Sequence, residues 1–338
     1  MDTDNAISPG QVTVVTVTYG DRRHLLEQVL RAALAQDVGK IIVVNNGASW
    51  NMDALASTTE SKVIVLNMDA NVGSAGGFSA GIARAMETDC EVIWLLDDDN
   101  LPNTDCLKEL LHATNLINSG KFVALAARPR FIGSLTTSAT KESFAKKVNY
   151  FLEFHVLDIP IKIKKLFART QSPKVNTHCR DTSLSIAPYG GMLFHKSLVH
   201  DVGFPKADLC LYADDSEYAW RMVHRGYSIR LICSAIVDDL DDWEDIFHRK
   251  FGITAWLDAP IYRIYYGMRN HIWFAYYQVC TNRKLFLFNG FIFLIILISI
   301  GVFKVKYREI IAIYDAAHDG LFSKLGESHK YPLPGKNK

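Results

Sequence analysis

A mostly parallel α/β sheet with helices on both faces is the fold that the sequence predicts. Three observations predict it. Short aliphatic, β-branched runs recur through residues 11–125; segments with helical spacing of apolar residues separate them; and each run stops at a polar or glycine-rich cluster. Strands alternating with helices build a mostly parallel sheet covered on both sides. In such sheets ligands bind at the carboxyl ends of the strands, where these clusters lie.

Val12–Thr18 (VTVVTVT) is β-branched throughout and reads as a buried strand. His24–Ala35 is a helix, with Leu25, Leu26, Val29, Leu30 and Ala33 on one side. Lys40–Val44 is the second strand, closed by Asn45-Asn46-Gly47, and Lys62–Leu66 is the third. Phe78–Met86 is a helix entered through glycines. Glu91–Leu96 is a fourth strand that runs straight into Asp97-Asp98-Asp99. Residues 141–180 form a basic insertion, with nine Lys/Arg against three Asp/Glu. Two readings are open for its Tyr150–Ala168 piece: contact with an anionic membrane or acceptor, or a solvated surface insertion. Residues 181–236 return to core-like sequence, followed by the acidic cluster Asp238–Asp245 and the aromatic-rich stretch Tyr262–Tyr277.

Leu285–Phe303 carries no charge. As a helix it reaches roughly 28 Å, close to the hydrocarbon thickness of a bilayer. Arg283 and Lys284 flank one end, and Lys304, Lys306 and Arg308 the other, so the flanks do not orient it. A membrane span, an interfacial hairpin broken at Asn289-Gly290 and a core helix all remain open. The organisation expected is one large unit over residues 1–250 and a helical region over 251–338.

Composition narrows the function classes. Lys+Arg is 37 and Asp+Glu is 36, so the broad basic field of a nucleic-acid binder is absent. The opening MDTDNAISPG has neither basic flank nor apolar run, so no secretory signal is expected. The six cysteines are widely spaced and form no C-x-x-C pair. Neither a zinc cluster nor a disulfide framework is expected, and a reducing compartment fits.

The strongest chemical signal is Asp97-Asp98-Asp99 behind the apolar run EVIWLL. Adjacent carboxylates repel one another and need a cation to be stable together at a strand end. Two carboxylates are a usual protein share for Mg2+ or Mn2+ bound to diphosphate oxygens. The second signal is Asn71–Phe78 (NVGSAGGF), a glycine-rich turn before a helix that can approach a phosphate or a nucleotide closely. It is neither a P-loop nor a clean G-x-G-x-x-G. The third is Tyr212–Arg221, where a helix opens near Asp214 with Asp215 and Glu217 in its first turn. One carboxylate suffices for a cap, so another is available as a general base. Gly190-Gly191, in Pro188–Phe194, allows close backbone approach, and Val202–Pro205 reads as a turn.

Together these pieces resemble glycosyltransferase family 2, over roughly residues 11–275. The motifs are V-T-V-T-Y, I-V-V-N-N-G, N-V-G-S-A-G-G-F, W-L-L-D-D-D, Y-G-G-M-L-F and A-D-D-S-E-Y-x-x-R. The glycine-rich and triple-Asp segments are most similar to the branch of galactofuranosyl- and rhamnosyltransferases, as is Tyr265-Tyr266 with Arg269-Asn270. The resemblance implies a GT-A catalytic unit over 1–250, with 11–125 as the nucleotide-sugar half, 181–250 as the acceptor half and 141–180 inserted between them. It implies an inverting, Mn2+- or Mg2+-dependent transfer onto a glycan or polyprenyl-linked acceptor, at the cytoplasmic face of a membrane. The implied donors are UDP-galactofuranose and dTDP-rhamnose. By motif, Thr18, Tyr19 and Asn46 line the nucleotide pocket; Asn71, Gly76 and Gly77 lie along the donor; Asp97, Asp98 and Asp99 hold donor and metal; and Asp215 is the base. Relatives place a histidine metal ligand where this chain has Ser234–Asp239. Asp238 is the expected replacement, with Asp239 and His248 as the other candidates.

Two other classes stay in view. A sugar-nucleotide pyrophosphorylase uses a similar sheet, but residues 19–24 (YGDRRH) do not form its basic glycine-rich signature. An inactive membrane-bound glycan-binding protein would not need the intact acids at 97–99 and 214–215.

Overall fold

The computed structural model describes residues 6–52, 62–117, 120–129, 132–135, 139–160, 181–241 and 253–335. The expected acidic run beyond Asp241, His248 and the basic residues of 161–180 lie outside them. In chain order the elements are β1 (Val12–Gly20), α1 (Arg23–Leu34), β2 (Lys40–Ala48), β3 (Val63–Asn67), α2 (Gly73–Ala85), β4 (Val92–Asp97), β5 (Asn100–Pro102), α3 (Cys106–Ile117) and β6 (Phe122–Ala127). There follow β7 (Thr182–Leu184), β8 (Met192–His195), α4 (Ser197–Val202), α5 (Asp214–His224), β9 (Ser228–Asp239), α6 (Ile261–Phe274), α7 (Arg283–Phe303) and α8 (Tyr307–Leu321). Short helical turns at Ile132–Ser134 and Lys141–Ala145 carry no label.

The strands form one mixed sheet in the order β3-β2-β1-β4-β8-β6-β9-β5, with β7 beside β9. The first four are parallel, as the alternation of strands and helices predicts. β8 enters antiparallel between β4 and β6, and β5 and β7 lie antiparallel to β9. Side chains alternate across a strand, and this sheet uses both faces. Val15, Ile42, Val44, Ile93 and Leu95 pack into one core with Phe78 and Ile82 of α2 and Tyr218 and Met222 of α5. Val12, Val14, Ile41, Val43 and Trp94 pack into the other with Leu26, Val29 and Leu30 of α1.

Helix α2 starts at Gly73, five residues before the expected Phe78. Intrinsic propensity disfavours glycine in a helix, but packing overrides it here. A methyl group on Gly77 would meet Val17 Cγ1 at 2.6 Å, and one on Gly81 would meet Val15 Cγ1 at 2.4 Å. The glycines let the helix lie close against β1.

The C-terminal helices build a third core around Tyr266, Met268, Ile272, Phe293, Leu297 and Ile313. The chain then returns to the sheet, where the Asn71 amide donates to the carbonyl of Pro334 at 3.0 Å. Cys233 is disulfide-bonded, while Cys90, Cys106, Cys210 and Cys280 are free thiols.

Candidate active site

β1 and β4 are adjacent, with Val17 opposite Asp97, so the carboxyl ends of both strands open onto the same ground. Arg22, just past β1, fills it. Its Nε donates to both oxygens of Asp98 at 2.9 and 3.0 Å, one terminal nitrogen to Asp99 at 2.8 Å and the other to Asp241 at 2.7 Å. The cation that adjacent carboxylates require is therefore, in part, a guanidinium. Burial pushes the Asp98 carboxyl up to about 6, against the opposing pull of Arg22. Burial also raises Asp99, again opposed by Arg22. Burial alone would lower Arg22, but Asp98 and Asp99 outweigh it and raise its pKa.

A second arginine works alongside. Arg128, directly after β6, is ion-paired with Asp239 at the end of β9. The Asn100 amide donates to Asp99 at 3.2 Å and to Asp239 at 3.0 Å, tying the two carboxylates together. Asp238, the expected ligand, is exposed. Successive strand residues face opposite ways, so Asp239 faces Asp99 and Asp238 faces out. Across the site, a methyl group on Gly190 would meet Asn100 Oδ1 at 1.9 Å and Asp97 Oδ2 at 2.8 Å. Only glycine fits there.

The donor chemistry suits a hard divalent cation: Asp97, Asp99 and Asp239 offer carboxylate oxygens, and Asp239 Oδ2 is buried with no hydrogen-bond partner. Among the described residues, however, no three His, Cys, Asp or Glu side chains are arranged to enclose a metal ion. Arg22 pairs with Asp99 and Arg128 with Asp239.

The glycine-rich turn is braced from below. Asn46 is buried and fully engaged: its amide donates to Asn71 Oδ1 at 3.2 Å and to the Gly73 carbonyl at 3.1 Å, and its oxygen accepts from Val72 N at 2.9 Å. Asn71 accepts from Gly73 N at 2.9 Å. Asn46, expected in the nucleotide pocket, and Asn71, expected along the donor, both shape the turn. Gly77 is buried under Val17, and Thr18 is buried as well. Gly76, whose methyl would meet Val72 Cγ2 at 2.6 Å, is partly exposed. Tyr19 does line an open cavity of about 440 Å³, together with Arg22, Leu240, Tyr262, Arg263 and Pro334. Gly73 has φ +81°, and a methyl on it would lie 2.0 Å from the Cys210 carbonyl oxygen. Gly73→Ala is expected to destabilise the fold by roughly 2–4 kcal/mol in denaturant melts, through strain and overlap together. Gly120, with nothing within 4 Å of a methyl, is the matched control, expected to stay within about 0.5 kcal/mol.

The loop before α5 is unusual: Cys210, Tyr212 and Ala213 all have positive φ, at 61°, 68° and 60°. Two buried residues of α6 hold it. The Asn270 amide donates to the carbonyls of Leu209, Leu211 and Tyr212 at 2.6, 2.7 and 3.1 Å, and Arg269 donates to Leu209 at 3.2 Å. This presents Asp214 and Asp215 at the N-terminus of α5. Asp214 is buried and accepts from Ser74 Oγ at 2.9 Å. Burial and the neighbouring Asp215 push its carboxyl up to about 7, against the Ser74 bond. Asp215 is half-buried and accepts from Ser216 N at 2.6 Å. Burial raises its pKa too, partly offset by the Ser216 bonds and by His271.

A carboxyl whose pKa rises on folding favours the folded state below its unfolded pKa and loses that contribution as pH rises through the folded value. Asp214→Asn should therefore leave stability unchanged near pH 3 and raise it by roughly 1–3 kcal/mol at pH 8. Melting curves at the two pH values check this; an equal shift at both would show that Asp214 is not the titrating group.

Several of these residues escaped the sequence reading. Arg22 stands in a run with nothing to mark it apart from Arg23, and Arg128 and Asn100 belong to no motif. Ser74 was visible only as part of the glycine-rich turn. A polar residue immediately after a fully apolar strand was the one available signal for Arg128.

The carboxylates, arginines and glycine-tight backbone gather at the strand ends, where open α/β sheets bind their ligands. Residues 13–202 match the family model for glycosyl transferase family 2, and the chain belongs to that family. It is 26% identical over 226 residues to galactofuranosyltransferase GlfT1 of Mycolicibacterium smegmatis, covering 64% of this chain and 66% of that relative, just under two thirds of the relative's length. Among solved structures, S. aureus TarS 1–349 superimposes with a TM-score of 0.44 at 11% identity, over 96% of this chain and 95% of that one. GalNAc-T7 with UDP, GalNAc and Mn2+ gives 0.46 at 11% identity, over 70% of this chain and 44% of that one.

Proposed function

We propose that this glycosyltransferase transfers galactofuranose, with rhamnose as the alternative, from UDP-galactofuranose or dTDP-rhamnose to a glycan or polyprenyl-linked acceptor in cell-surface polysaccharide synthesis. The reading places it at the cytoplasmic face of a membrane and makes the transfer inverting. One observation carries it: Tyr189 and Gly190 join the elements that bear the two acidic clusters. Gly190 abuts Asp97 and Asn100, while the Tyr189 ring lies against Tyr218 of α5, the helix that Asp214 and Asp215 open. A leaving diphosphate and an attacking hydroxyl need two such centres in one cleft.

In this reading the nucleotide enters the cavity walled by Tyr19, Tyr262 and Pro334. Arg22 and Arg263 meet its negative charge. Asp97 and Asp99, with Asp239 behind them, would hold Mn2+ or Mg2+. When bound, the metal supplies electrostatic stabilisation of the departing diphosphate. Asp215 takes the proton of the acceptor hydroxyl as that oxygen attacks the face opposite the diphosphate. Burial suits it to the task, because a base works best with a pKa raised toward the working pH. The GlfT1 likeness supports galactofuranose ahead of rhamnose.

The test is a panel of nucleotide sugars with Mn2+ or Mg2+, read by nucleoside diphosphate release and by the anomeric configuration of the product. UDP release from UDP-galactofuranose with inversion is the expected result. Retention of configuration, or release of pyrophosphate in place of nucleoside diphosphate, would overturn the proposal.

A further inference from the structure

The apolar helix α7 carries two distinct faces. Phe286, Asn289, Gly290, Phe293, Leu297 and Gly301 are buried along one side. On the other, Phe288, Phe291, Ile295, Val302 and Phe303 are exposed, Phe291 by 62% and Phe303 by 90%. The exposed strip continues past the turn through Tyr307, Ile311 and Tyr314 of α8. Monomeric soluble proteins rarely leave so continuous an apolar surface to water.

The buried side excludes one mode of membrane attachment. Asn289 accepts from Val156 N at 3.0 Å and donates to the Asn149 carbonyl at 3.0 Å. A methyl on Gly290 would meet the Phe151 ring at 2.6 Å, and one on Gly301 would meet Ile310 at 2.8 Å. The helix is thus seated along its length on the turn-rich segment 149–156 and on α8. Irregular backbone has unpaired N–H and C=O groups and does not face hydrocarbon. A helix bound to it cannot be wrapped by lipid at bilayer depth.

Charge identifies what covers the open side. Arg283 to Arg308 contains five basic residues and no acidic one, and Arg283, Lys284, Lys304 and Arg308 are exposed. They stand at both ends of the apolar strip. A spanning helix sends its ends to opposite membrane surfaces, with basic residues favoured on one. A helix lying in the plane keeps both ends at the headgroups. Two copies of this chain meeting through the strip would set like-charged rims together.

We propose that the outer faces of α7 and α8 form a monotopic docking surface for an anionic lipid leaflet, with α7 lying in the membrane plane and Phe288, Phe291, Val302 and Phe303 inserted. This deepens the membrane location in the proposed function and rests on that part of it. It does not depend on the transfer chemistry.

Flotation of the full chain with vesicles, without any nucleotide sugar, tests it. The chain should float with phosphatidylcholine vesicles containing roughly one third phosphatidylglycerol, and at least about tenfold less with phosphatidylcholine alone. The double variant Phe291→Asp/Phe303→Asp should float at least about tenfold less while melting like the parent. Lys304→Gln/Arg308→Gln should weaken flotation at low salt and matter less at high salt. Alkaline carbonate should strip the bound parent chain. Resistance to carbonate with release only by detergent would overturn the proposal in favour of a span. Absence from anionic vesicles would overturn it outright, as would a dimer that the phenylalanine variants dissociate. Because no sugar donor is present, failure here leaves the transfer reading standing, and failed transfer leaves this one standing.

Discussion

Asp215→Asn is expected to cut kcat by about 10³ while nucleotide-sugar binding survives, with the donor dissociation constant staying within about twofold. The substitution keeps the size and the oxygen that accepts from Ser216 N, so the start of α5 has no reason to move. What disappears is the group that, in the proposed mechanism, takes the acceptor's proton. Asp214 is the built-in comparison, being buried and bonded to Ser74. The pH profile adds a separate check. Burial raises the Asp215 pKa, and a base works only when ionised. The acidic limb of kcat should therefore lie above the usual carboxylate range near 4, with rate rising as pH rises. If Asp215→Asn stayed within tenfold of the parent while Asp214→Asn lost activity, the two roles would be exchanged.

The second large effect is at the other end of the cleft. Asp99→Ala should cut kcat/KM by about 10²–10³ and remove Mn2+-dependent binding of nucleoside diphosphate. Calorimetry with and without Mn2+ reads the second quantity without needing turnover. Asp99 also accepts from Arg22 and Asn100, so its loss releases both side chains. Thermal melting of the variant separates the two consequences: a small shift in melting with complete loss of Mn2+-dependent binding supports a ligand role. Preserved binding would mean that the arginine alone serves the carboxylates of this strand end, and no metal is held there.

These two experiments bear on the parts of the site that the sequence exposed to different degrees. Asp97–Asp99 and Asp214-Asp215 were legible because charge stands where apolar pattern stops. Arg22 was not, because the partners that define its role lie 76 to 219 residues away in sequence. Asp238 and Asp239 differ in strand phase, so their side chains face opposite ways. β9 extends to Asp239 with its pairing partner Asn100 opposite, and a one-residue difference reverses which side chain faces the cleft. Asn46, Asn71 and Gly77 sit near the expected pocket, yet their hydrogen bonds and contacts are spent on the turn and on helix packing.

Local pattern by itself determined the alternation of strands and helices in residues 11–125, the apolar helix near the C-terminus and the positions of both acidic clusters, since each depends on spacing within a few residues. Tertiary structure alone decided that Arg22 meets the carboxylates of Asp98 and Asp99, how Asn270 shapes the loop before α5, and that one side of α7 is fastened to the body of the protein. Those outcomes depend on distances between groups far apart along the chain, and short-range periodicity carries no information about them.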